Sequence, residues 1–96
     1  RVELDSVLCI SDVIALATLS TLQELGFLVP KDIAVVGYDD ISLAAYSSPP
    51  LTTVRQNIRH AGRILVESVL GLIKGEDVPD AMLASDLVIR KSTALS

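Results

Sequence analysis

Two short apolar runs constrain this chain more than any other feature of its sequence. Ser6–Ile10 (SVLCI) and Ile33–Val36 (IAVV) are almost wholly apolar, the pattern of strands buried on both faces. Between them Ala15, Leu19, Leu22 and Leu25 recur at intervals of four, three and three, which marks one apolar face of a helix. Ser11 and Asp12 precede that helix, and each carries a short oxygen able to accept the free amides of a first turn. Gly26 ends it, because glycine takes the left-handed conformation after a helix without penalty. Strand, helix and strand with connections this short form a βαβ crossover, and hence a parallel sheet. The expected fold class is α/β, a parallel sheet flanked by helices.

The rest of the chain extends this pattern. Tyr38, Asp39 and Asp40 sit just past the carboxyl end of the second strand, and Ile41–Ser48 has room for one or two helical turns. Pro49 and Pro50 force an extended entry into a short strand at Leu51–Val54. Asn57 is placed to cap a second helix, Asn57–Lys74, with Ile58, Ala61, Leu65, Val69 and Leu72 as its apolar stripe. Arg55, Arg59 and Arg63 read as a solvated face, with Arg63 and Glu67 spaced for an ion pair along the helix. Gly75–Asp80 reads as a polar loop and Leu83–Ile89 as a last strand.

Composition excludes several classes of function. Ninety-six residues suffice for one small domain, and a 50% apolar content is far above that of a disordered chain. Aromatics make up 3% and the formal charge is −4, which argues against a base-stacking platform or a binder of phosphate backbones. One cysteine cannot build a disulfide framework, and no apolar run reaches the length of a membrane span. The chain begins at Arg1, within what reads as a strand, so it is expected to be a piece of something longer.

Ligands in open α/β sheets bind outside the carboxyl ends of the strands, so Ser11, Asp12, Tyr38, Asp39 and Asp40 lie where a site is expected. A turn needs one Asx residue, which frees Asp39 for a ligand; Asp12 is expected to cap its helix. Gln56 offers both a donor and an acceptor, although its spacing alone suits an ordinary loop glutamine. Cys9 lies inside an apolar strand and reads as a small hydrophobe. His60 has no second ligand at metal-binding spacing, and no nucleophile–base pair is apparent. Asp12, Asp39 and Asp40 could alternatively hold Mg²⁺ for phosphoryl transfer, a chemistry that usually needs a further Lys or Thr at a neighbouring strand end.

Three strings together resemble the lactose/galactose-repressor (LacI/GalR) family of bacterial transcriptional regulators. They are Ser11–Asp40 (SDVIALATLSTLQELGFLVPKDIAVVGYDD), Ser48–Gln56 (SPPLTTVRQ) and Leu87–Thr93 (LVIRKST), in family order and spacing. The resemblance implies the carboxyl-terminal part of an effector-binding domain with the two-lobe fold of periplasmic sugar-binding proteins. Residues from about 1 to 54 and 84 to 93 would then belong to the carboxyl-terminal lobe, and the helix at about 57–78 to the amino-terminal lobe. Asp39 matches an aspartate that bonds effector hydroxyls, and Gln56 matches a cleft glutamine at the lobe crossover. Ser11 stands where many members carry asparagine, while Asp12 matches that residue's mostly structural aspartate partner. Leu16 and Tyr46 fall on the family's dimerisation surface. The resemblance implies a cytoplasmic homodimer that is not an enzyme, needs no cofactor and contacts no membrane. A sugar or nucleoside binding between the lobes would modulate operator DNA binding by a helix-turn-helix absent from this sequence. A periplasmic sugar-binding protein of the same fold is the alternative.

Overall fold

A computed structural model describes residues 4–80 and 83–93; the strand expected around Arg1 begins outside them. The elements run β1 (Ser6–Leu8), α1 (Asp12–Glu24), β2 (Ala34–Tyr38), a 3₁₀ turn (Ser42–Ala45), β3 (Thr52–Gln56), α2 (Ile58–Ile73) and β4 (Ser85–Val88). They form a four-stranded sheet in the order β1-β2-β3-β4. β1 and β2 are parallel with Val7 opposite Val35, and β2 and β3 are parallel with Gly37 opposite Thr53. The α/β class and the βαβ crossover therefore hold. Strand limits move by one or two residues from those expected.

The chain divides into two compact units, Arg1–Arg55 with Asp86–Ser96, and Gln56–Ser85. In the first unit α1 lies on β2, and Cys9, Ala15, Leu19, Val35, Ala44 and Leu51 form a buried cluster. Gly37 makes this packing possible. A Cβ there would overlap Asp12 Oδ1 and stand 2.9 Å from Leu51 Cδ2, so no larger residue fits where α1 begins against β2.

Polar side chains close the same unit on its other side. Ser92 Oγ donates to the Val35 carbonyl at 2.6 Å and accepts the Thr52 N–H at 2.8 Å, joining β2 to β3 from beyond β4. Thr52 Oγ1 accepts the Arg90 N–H at 2.7 Å. Buried threonine and serine are tolerated here because each polar atom has a partner.

Four expectations need correction. β1 is not buried on both faces: Ser6 and Leu8, which alternate onto the same face, are exposed, and α1 packs on β2 rather than over them. Leu25 is exposed rather than part of the core stripe, since α1 ends at Glu24 and Leu25 is its C-cap. The stripe expected to bury α2 is also largely exposed, Leu65 by 66%. Within its own unit α2 covers a neighbouring face instead. Ala61, Ile64 and Ser68 are half-buried and Gly71 is buried, with Val78 Cγ2 only 3.0 Å from where a Gly71 Cβ would lie. The Arg63–Glu67 pair is not among the ion pairs of the described residues, as is common for two long side chains in water.

Candidate functional site

The carboxyl edge of the sheet is built from its buried side outward. Ser11, in extended conformation, caps α1 by accepting the Ile14 N–H at 3.3 Å. Asp12, expected as a cap, is instead the first helical residue and is fully buried. Its two oxygens bind separate elements: Oδ1 accepts the Thr53 hydroxyl at 2.5 Å, and Oδ2 accepts the Ile41 N–H at 2.8 Å. Asp12 thereby fastens the start of α1 to β3 and to the loop after β2. A charged acceptor buried with two donors is strongly held, and removing it would strand both donors.

The turn after β2 is conformationally strained. Asp39 has φ 116° and Asp40 φ 56°, both in the positive region that β-carbons disfavour. Hydrogen bonds hold it there. Asp39 N–H donates to the Val54 carbonyl at 2.9 Å, and Asp40 N–H to Thr53 Oγ1 at 3.3 Å.

The two aspartates then diverge in role. Asp40 Oδ2 receives Arg55 Nε at 2.7 Å, and its Oδ1 receives Arg90 Nη2 at 2.9 Å. Burial pushes the Asp40 pKa up, but the hydrogen bonds and charges of Arg55 and Arg90 outweigh this and hold it below the ordinary value of 3.8. Asp39 is exposed, and its carboxylate takes no hydrogen bond or ion pair from the described residues. Of the three acids past these strand ends, it is the one uncommitted.

Ser11 and Asp39 thus lie at the ends of adjacent strands in the first unit. Gln56 ends β3, is exposed, and opens the second unit. Leu16 is half-buried and packs against the core cluster, whereas Tyr46 is 84% exposed at the end of the 3₁₀ turn. Cys9 is buried with its sulfur 3.7 Å from Thr18 Oγ1, and His60 is exposed. Asp12 and Asp40 have both oxygens occupied, and no cluster of three metal-ligating side chains occurs among the described residues. Asp12 and Asp40 are therefore engaged by protein donors rather than gathered with Asp39 into a cation site among the described residues.

Sequence reasoning missed Arg90 and Thr53, and treated Arg55 as part of a solvated face. The available signals were a threonine pair inside a buried strand and an arginine directly after an apolar one. Both place a polar group where it needs a partner.

Residues 3–93 match the periplasmic binding protein-like domain. The chain belongs to that domain family, in its LacI-type branch. It is 51% identical over 69 residues to PurR, an HTH-type transcriptional repressor of Aliivibrio fischeri strain MJ11. That match covers 72% of this chain and 20% of PurR. Its fold matches a lac repressor dimer solved with operator and an anti-inducer, at TM-score 0.86 and 38% identity over 93% of this chain and 27% of that one. A CelR–cellobiose complex matches at TM-score 0.82 and 38% identity, over 92% of this chain and 28% of that one. The chain thus spans about a fifth to a quarter of these LacI-type proteins. Among its described residues no helix is long and apolar enough to cross a membrane.

Proposed function

We propose that this chain is the effector-sensing and dimerising part of a LacI-type transcriptional regulator. Its effector is a small polyhydroxylated molecule, a sugar or a nucleoside. Asp39 accepts effector hydroxyls, Ser11 adds a short hydroxyl from the neighbouring strand end, and Gln56 contributes an amide from the end of β3. One observation carries this reading: the Asp39 carboxylate is exposed on a strained turn and has no partner among the described residues, while Asp12 and Asp40 beside it are fully engaged. A carboxylate can accept two adjacent hydroxyls at once, which suits a polyol. The relative solved with cellobiose supports the sugar class.

The effector biases the intact regulator between states of unequal operator affinity, and DNA is read by a helix-turn-helix elsewhere in the full-length cytoplasmic protein. The first unit belongs to the carboxyl-terminal lobe, and α2 to the amino-terminal one. The uncovered apolar stripe of α2 supports that allocation. Tyr46 and Leu16 belong to the homodimer surface, and the high exposure of Tyr46 supports its place there. Tyr46→Asp is expected to shift the full-length dimer toward monomer in sedimentation while leaving circular dichroism unchanged.

A thermal-shift screen of the full-length protein with cellobiose, D-xylulose and inosine, followed by operator titration with and without each hit, tests the function. A hit that changes operator affinity is expected. A hit without effect on operator binding would overturn the regulatory reading.

A further inference from the structure

The chain leaves the first unit after Arg55 and returns to it at Asp86. Arg55 is therefore the last residue before one crossing, and Arg90 follows the other by four residues. Their guanidinium groups meet on one carboxylate, with each oxygen of Asp40 taken by a different pass of the chain, at 2.7 Å and 2.9 Å. Arg90 is further fixed to β3, where its Nη1 donates to the Leu51 carbonyl at 2.9 Å. The Asp40 side chain is 11% exposed and that of Arg90 17%, so this half of the cluster is shielded from solvent; Arg55 is 55% exposed and its half is weaker. Without Asp40, two cations would remain close together with no counter-charge among the described residues.

The same residue is joined through the backbone to Asp39. The two share a strained turn anchored on β3 by the Asp39 N–H to Val54 and the Asp40 N–H to Thr53. The Asp39 carboxylate is thus connected to the crossing segments by one peptide bond and two charge-assisted hydrogen bonds.

We propose that Asp40 is a positioning residue that clamps both chain crossings and couples them to the effector carboxylate of Asp39. The coupling half rests on the reading of Asp39 given above; the clamp itself does not.

Hydrogen exchange of the full-length protein without any ligand tests the clamp. Asp40→Asn keeps the side-chain shape and removes the charge. It is expected to speed exchange about tenfold at residues 86–91 and less at 54–57, while leaving α1 unchanged. Asp40→Glu, which retains the charge, is expected to restore much of the protection. Arg55→Gln, at an exposed position that should not affect folding, is expected to loosen residues 54–57 and leave 86–91 in place. Unchanged exchange at both crossings would overturn the clamp. So would equal acceleration throughout the first unit, or no recovery with glutamate, since those describe an ordinary loss of stability. Asp39→Asn in the same ligand-free experiment is expected to leave both crossings protected. Should Asp39→Asn also bind cellobiose, D-xylulose or inosine as wild type does, the effector reading and the coupling fall while the clamp stands on its exchange data.

Discussion

The helices α1 and α2 each carry apolar residues at helical spacing, yet the structure treats them differently. α1 buries Ala15 and Leu19 against β2, and its first residue, Asp12, reaches across to β3 and the loop after β2. α2 buries Gly71 alone, and Ile58, Leu65, Val69 and Leu72 remain exposed. A stripe of apolar residues at helical spacing determines that a helix forms and which side seeks cover. It does not determine where the cover comes from. For α1 the covering strand is supplied a few residues later in the chain, at Ala34–Tyr38. For α2 the described residues supply only a short return of chain around Val78 on an adjoining face. The first unit therefore closes a core of its own, whereas the apolar stripe of α2 is uncovered among the described residues.

Substitutions can break this contrast. The largest loss is expected from Asp12→Ala, which leaves the Thr53 hydroxyl and the Ile41 N–H without their acceptor. The cost should be about 3–4 kcal/mol in urea unfolding of the full-length protein. A cost below about 1 kcal/mol would mean that Asp12 does not hold the edge of the sheet together.

A second pair of substitutions bears on the contrast itself. Leu19→Ala, in the closed core, is expected to cost about 2–4 kcal/mol. If α2 belongs to the amino-terminal lobe as proposed, Leu65→Ala is expected to cost about 2 kcal/mol in the full-length protein. A cost within about 0.5 kcal/mol for Leu65→Ala would show that the α2 stripe stays in water and that its lobe assignment is wrong.

The smallest effect concerns Asp40 and carries a definite sign. Its folded pKa lies below its ordinary value, so its stabilising contribution is complete above the ordinary carboxylate range and is lost as pH falls through the folded value. The stability gap between wild type and Asp40→Asn should be about 1–2 kcal/mol near neutral pH, with the exposed Arg55 adding little. It should close below about pH 4. A gap independent of pH would show that the ion pairs contribute nothing beyond shape.

The legible and illegible parts of the sequence divide along physical lines. The βαβ crossover was readable because apolar periodicity and the stop at Gly26 act locally. The N-cap was readable as a pair of residues but not as a choice between them. Ser11 and Asp12 can both cap, and the positions of Ile41 and Thr53, 29 and 41 residues later, commit Asp12 elsewhere. The argument that one turn needs one Asx residue set Asp39 apart from Asp40, but the Asp40 carboxylate is held by two arginines rather than by the turn. Which arginines Asp40 would meet was not readable, since Arg55 and Arg90 are brought to it by strand order. Burial of β1 was overestimated for a related reason. An all-apolar strand indicates that both faces have partners somewhere, without placing them among these residues.

Isothermal titration calorimetry of the full-length regulator and its Asp39→Asn variant tests the effector assignment most directly. The titrant is whichever of cellobiose, D-xylulose and inosine binds the wild type. Loss of a charged hydrogen-bond acceptor should weaken binding by about one to two decades, with the unfolding midpoint unchanged. Equal affinity in the two proteins would contradict the assignment of Asp39 as the effector carboxylate.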